Sequence, residues 1–126
     1  VLPTLLLGSW ALPASSPAPS FSAVIPETQS IVGGEWQVQD DPNSRGCILP
    51  NGTAGRTTSV LRIGEPSSAI DAVAVYWEAQ GYTVQRLDIG PVTQLLATTG
   101  AGQQLIVRAS DRATTLQGES ECRPAE

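Results

Sequence analysis

Apolar side chains recur at helical spacing in one stretch of this chain and at strand spacing almost everywhere after it. Ile70, Val73, Ala74 and Trp77 fall at i, i+3, i+4 and i+7, so they share one face, with Asp71 and Glu78 on the other side. Pro66 stands just upstream, where it costs no intrahelical hydrogen bond. Ser67 or Ser68 can cap the first turn, Ser68 with Asp71 as a variant of the capping box, and Gly81 suits the left-handed position past the last turn. The spacing predicts a helix within 66–81, with Trp77 as core anchor and Tyr76 half exposed beside the apolar face. Burying Ile70, Val73 and Trp77 contributes roughly 1.5–3 kcal/mol per large side chain before entropy is subtracted.

Around that helix the period is two. Trp36 and Val38 share a face of a short strand within 35–39, and Asp40-Asp41-Pro42-Asn43-Ser44-Arg45-Gly46 is a loop by its turn chemistry. Residues 46–50 and 56–64 flank the turn at Asn51-Gly52 and read as a hairpin, with Ser59, Leu61 and Ile63 on one face and Val60 and Arg62 on the other. After the helix, 82–89 starts with Tyr82 and Val84 inward and then switches to Leu87 and Ile89, which predicts a bulge near Gln85 and Arg86. Gly90-Pro91 and Thr99-Gly100-Ala101-Gly102 are turns that separate 92–98 from its neighbours. Leu105, Val107 and Ala109 alternate with Ile106 and Arg108 in 103–109, and a last strand covers 113–118. The expected fold is α+β: an antiparallel sheet of about 5–6 strands with a single helix packed on one face, in the order hairpin, helix, meander.

Residues 1–30 do not follow either period. Val1 to Pro13 is apolar, interrupted by proline, and too short to cross a bilayer as a helix. It reads as the apolar core and cleavage zone of a signal peptide without its charged start. The Pro/Ala/Ser-rich stretch after it reads as a linker. One domain is then expected over 31–126, with no transmembrane span in the chain. Trp10 stands where a lipoprotein signal would place its lipid-bearing cysteine.

Composition narrows the function classes. All seven cations are arginines, and they are scattered, so no basic stripe for nucleic acid or anionic lipid exists on a chain of net charge −5. The two cysteines, Cys47 and Cys122, lie too far apart in sequence for zinc-ligand spacing, and no histidine can join them. A structural disulfide is the favoured reading and two free buried thiols the alternative. The bridge would close a loop of about 75 residues, contribute roughly 4–5 kcal/mol on the chain-entropy account, and imply an oxidising compartment.

The absence of histidine removes the usual general base and the Ser-His and Cys-His nucleophile pairs. Ile31-Val32-Gly33-Gly34 looks like the mature amino terminus of trypsin-like serine proteases, but Ser30 precedes it in place of a basic residue and no triad is possible. Gly100-Ala101-Gly102 lies between strands and fails the dinucleotide fingerprint. Asn51-Gly52-Thr53 fits the glycosylation acceptor pattern, although the turn requires the same residues. Asp40-Asp41 with Asn43 resembles a fragment of a calcium loop without its order of ligands, so no metal site is expected. Glu65, Asp88 and Asp111 near strand ends are the carboxylates available for an acid/base pair. Arg62, Arg86 and Arg108 lie on strands and could gather on the open face of the sheet around an anionic group, or simply mark its solvent side.

From Cys47 to the carboxyl terminus the chain resembles the small secreted proteins and lipoproteins of actinobacteria. The likeness rests on Cys47-Ile48-Leu49-Pro50-Asn51-Gly52 with its arginine-led strand, the helix end from Asp71 to Tyr82, and Glu121-Cys122-Arg123-Pro124. It implies export and an α+β sandwich, and it carries over no catalytic residue and no cofactor. The expected role is an extracytoplasmic, non-catalytic binding or protein-interaction module, secreted or in the cell envelope. Its unidentified protein or envelope ligand would meet the sheet face or the surroundings of Trp36 and Tyr76. The alternatives are a small carboxylate-dependent hydrolase and an enzyme inhibitor presenting the 40–46 loop with Arg45.

Overall fold

A computed structural model describes residues 20–124; the signal-peptide reading of Val1 to Pro13 lies outside them. The described residues form two helices and nine strands. They are α1 (Phe21–Val32), β1 (Trp36–Val38), β2 (Arg45–Ile48), β3 (Ala54–Thr57), β4 (Ser59–Gly64), α2 (Ile70–Ala79), β5 (Thr83–Ile89), β6 (Val92–Thr98), β7 (Gln104–Ala109), β8 (Thr114–Glu119) and β9 (Arg123–Pro124). The strands make two antiparallel sheets, one of six in the order β1-β4-β8-β7-β6-β5 and one of three in the order β2-β3-β9.

The single helix on a single sheet is thus corrected on both counts. Helix α1 lies mostly within the stretch assigned to leader and linker. Phe21, Val24, Ile25 and Thr28 follow the i, i+3, i+4, i+7 spacing and are its buried residues. Proline 26 sits inside the helix but is exposed, so its ring is kept out of the packed interface. The helix ends at Gly33, whose φ of 84° suits glycine and whose N–H bonds the Gln29 carbonyl at 2.8 Å. The protease-like Ile31-Val32-Gly33-Gly34 is therefore a helix end with its glycine stop.

The second arm of the expected hairpin is two strands. Thr58 breaks it, sending β3 to the small sheet and β4 to the large one. The chain recrosses between sheets at Ser120, and the two crossings are tied together. Thr57 Oγ1 bonds the Ser120 carbonyl at 2.6 Å, the Thr58 N–H bonds Ser120 Oγ at 3.0 Å, and the Ser120 N–H bonds the Thr58 carbonyl at 2.9 Å.

The expected bulge in β5 is absent. Its register with β6 runs unbroken from Thr83↔Thr98 to Ile89↔Val92. The outward switch of Leu87 and Ile89 has another cause: β5 is an edge strand, and both side chains stay exposed.

Both helices bury their apolar sides on one face of the large sheet. Val24, Ile25, Val73 and Trp77 meet Leu95, Ala97, Leu105, Val107 and Leu116 in one cluster. The fully buried Trp77 indole Nε1 donates to Thr28 Oγ1 at 2.9 Å, and that hydroxyl donates to the Val24 carbonyl at 2.8 Å, so the helix pair is joined by a satisfied polar link. Tyr82 is buried beside them, its hydroxyl donating to Gln103 Oε1. Burial pushes the phenol pKa up to about 12. Cys47 and Cys122 form the disulfide, with their Cα atoms 6.0 Å apart, which ties β2 to the start of β9. Only glycine fits opposite it: a Cβ on Gly55 would lie 2.6 Å from both the Arg123 carbonyl oxygen and Cys122 Sγ.

Candidate binding surface

Alternation along the large sheet gives its second face a distinct character. Leu61, Gln117, Ile106, Leu96 and Gln85 are successive register partners across five strands, on the side opposite the core residues Leu116, Val107 and Leu95. The adjacent row is Ile63, Thr115, Arg108, Gln94 and Leu87. Leu61, Ile63, Leu96 and Ile106 are half buried, whereas the core row is fully covered. Apolar side chains thus alternate with glutamine amides on a face that neither helix covers.

One end of this face is roofed. The segment between β1 and β2 crosses it and leaves a cleft of about 310 Å³ whose lining includes Gln39, Asp41, Arg45, Leu61, Ile106 and Gln117. The roof is strapped at two points and stiffened by a turn of its own. Asp40 accepts from the Leu61 N–H at 2.9 Å and from Arg62 Nε and Nη2 at 2.8 and 2.6 Å. Arg56 donates to the hydroxyl and the carbonyl of Ser44 at 2.9 and 2.6 Å. The Asn43 N–H closes a turn onto Asp41 Oδ1 at 2.9 Å. The Arg62 hydrogen bonds hold the Asp40 carboxyl below the usual carboxylate range against the opposing effect of its partial burial, and the same bonds raise Arg62. At the mouth, Arg45 lies 3.7 Å from Asp41 and 4.0 Å from Glu119, so both signs of charge flank an apolar floor.

The three strand arginines do not gather. Only Arg108 stands on the open face, where it donates to Gln94 and Gln117 at 2.7 and 2.9 Å. Arg62 faces the helix side and holds Gln29 of α1 at 2.8 Å as well as Asp40. Arg86 also points to the helix side, 2.5 Å from Asp71 and 3.5 Å from Asp88. Trp36 is half buried with its ring against Gly64, where a Cβ would lie 2.8 Å from the indole. Tyr76 is half buried at the helix pair; burial raises its phenol first, and Glu27 of α1 adds to it. Arg45 opens β2 and folds back over the cleft instead of projecting from a loop. The residues that sequence reasoning passed over are Leu61, Ile106, Leu96 and the glutamines. Their signal was present in the even alternation of β4 and β7, which leaves Leu61 and Ile106 on the side away from the core.

The carboxylates stay dispersed. Glu65 accepts from the Glu35 N–H at 3.1 Å, and Asp88 accepts from Thr93 Oγ1 at 3.0 Å. Asp111 shares a polar cleft of about 530 Å³ with Asp71 and Arg86. The Asp71 side chain there is 86% exposed and paired with Arg86. Among the described residues no group of three or more His, Cys, Asp or Glu side chains is placed to hold a metal ion, and no helix is long and apolar enough to cross a membrane.

No protein-family model and no curated protein sequence matches the chain. The fold is similar to the crystal structure of a DUF4853 family protein from Actinomyces odontolyticus, with a TM-score of 0.63 at 17% identity. The match covers 83% of this chain and 63% of the other, so this chain spans less than two thirds of that protein's length. At this identity the likeness is one of fold.

Proposed function

We propose that this protein is an extracytoplasmic, non-catalytic interaction module that receives a protein segment on the open face of its large sheet, at the roofed cleft. The reading rests on one observation: half-buried Leu61 and Ile106 line the cleft together with Gln39, Gln104 and Gln117, under a segment tied down by Asp40 and Arg56. Apolar floor and amide walls suit an extended peptide, whose side chains take the floor while its backbone meets the amides. The opposed charges of Arg45 and the Asp41–Glu119 pair at the mouth would select register more than affinity. The Cys47–Cys122 bridge supports an oxidising compartment. The actinobacterial origin of the similar structure fits the resemblance to small exported proteins of that group.

A photo-crosslinking residue placed at Ile106, and in a control at the exposed Val75 of α2, tests the reading in the oxidised protein incubated with native envelope fraction. A discrete adduct from position 106, absent from position 75 and lost when Leu61→Asp is added to a protein that stays folded at the assay temperature, is the expected result. Equal labelling from both positions, or turnover of a screened ester, glycan or peptide library, would overturn it.

A further inference from the structure

The free edge of the large sheet carries a separate recognition signal. Strand β5 pairs with β6 on one side, and among the described residues no strand pairs with its other side. It is seven residues long, without bulge or proline, so what guards this edge is the charge of Arg86 and Asp88. Its backbone polarity follows from the turn. Gly90-Pro91 is a two-residue hairpin connection with Gly90 at a φ of 56°, which makes Ile89 and Val92 a hydrogen-bonded pair. Alternation then turns the N–H and C=O groups of Leu87 and Gln85 toward β6, and those of Val84, Arg86 and Asp88 toward the open edge.

We propose that β5 pairs antiparallel with β5 of a second copy of this chain about a two-fold axis at Leu87, giving a dimer with one continuous sheet. In that register Arg86 of each copy lies opposite Asp88 of the other, as a hydrogen-bonded pair, and this occurs twice because the interface is isologous. Leu87 meets its own copy at the closer, non-hydrogen-bonded spacing on the open face, and Gln85 lies opposite Ile89. Leu87 and Ile89, 52% and 57% exposed in the single chain, gain partners there. The charges choose this register over its neighbours. Centring one residue earlier opposes Arg86 to Arg86, and one residue later opposes Asp88 to Asp88; either like-charge contact is destabilising. Two residues earlier or later, neither charge has an opposite across the interface. The surface is the strand edge rather than the roofed cleft, so the dimer stands or falls independently of the cleft's ligand.

Sedimentation equilibrium on the oxidised full chain, from micromolar to millimolar protein, tests this with two charge reversals. The wild type is expected to dimerise. Arg86→Asp and Asp88→Arg each place like charges opposite one another twice, and each should raise the dimer dissociation constant by at least about tenfold, equivalent to about 1.4 kcal/mol. An equimolar mixture of the two variants restores opposite charges at both pairs and should form a heterodimer near wild-type affinity. A wild type that stays monomeric at millimolar concentration overturns the proposal. So does a dimer indifferent to both reversals, or a mixture no tighter than its components, since each places the contact elsewhere.

Discussion

Arg62 shows how a residue type can be placed correctly on a strand while its partners stay hidden. Alternation within β4 sets it beside Val60, on the helix side, but a charge there is tolerated only with partners. The partners come from Gln29 and Asp40, far away in sequence and closer to the amino terminus, and no local pattern announces them. The pair is a pH-dependent strap. Asp40 has its pKa depressed in the folded state, so its contribution is present above the ordinary carboxylate value of 3.8 and is lost as pH falls through the folded value. Asp40→Asn should therefore lower stability by about 1–2 kcal/mol at neutral pH and by clearly less at about pH 3, measured as urea midpoints. An equal loss at both pH values would show that the carboxylate charge is not what Arg62 holds. Asparagine keeps an oxygen for the Leu61 N–H but sets an amide donor against Arg62 Nη2, so the same variant should loosen the roof of the cleft, visible as faster amide exchange in the segment 40–45.

At the scale of elements, helix α2 and the run β5 to β8 are legible because their signals are local: a clean 3.6-residue period, then alternation punctuated by Gly90-Pro91 and the Thr99 to Gly102 turn. Helix α1 carries the same apolar spacing, but Pro26 and the serines around it mark the stretch as linker to any reading by composition. What makes it a helix is tertiary: Phe21 packs on Gly118, where a Cβ would lie 3.0 Å from its ring, and Thr28 completes the Trp77 indole. A similar limit hides the split of 56–64, since β4 finds its neighbour in β8, beyond helix α2 and three intervening strands. The Thr28–Trp77 link can be isolated. Thr28→Val keeps the shape and strands a buried indole N–H, at an expected cost of about 1–3 kcal/mol. In a Trp77→Phe background the same change should cost much less, because no donor is left to satisfy. Thermal or urea melts of the four proteins give the coupling, and additive losses would mean the hydrogen bond carries little of the helix pairing.

For the whole molecule the question is what the disulfide and the small sheet add to a core that already has two helices on six strands. Strand β9 has only two residues and pairs with β3 at Gly55↔Pro124 and Arg56↔Arg123, too few contacts to hold the end of the chain unaided. The covalent link through Cys47 and Cys122 supplies what those pairs lack, and the missing side chain of Gly55 lets the strands close over it. The cysteines could be matched from sequence because there were two of them and no rival ligand. Their consequence for the second sheet could not, because β2, β3 and β9 carry no amphipathic period of their own. The small sheet in turn carries Arg56, which straps Ser44 in the roof of the cleft. Removing the bridge should therefore act twice. Cys47→Ala with Cys122→Ala is expected to lower stability by about 2–5 kcal/mol, with the urea midpoint shifting accordingly. Amide protection in β3 should fall further than protection in β7 and β8, which reports global unfolding. If the double variant kept its midpoint and its β3 protection, the small sheet would be self-supporting and the bridge redundant. If protection fell equally everywhere, the two sheets would be one cooperative unit, and the roof of the cleft would open only with the core.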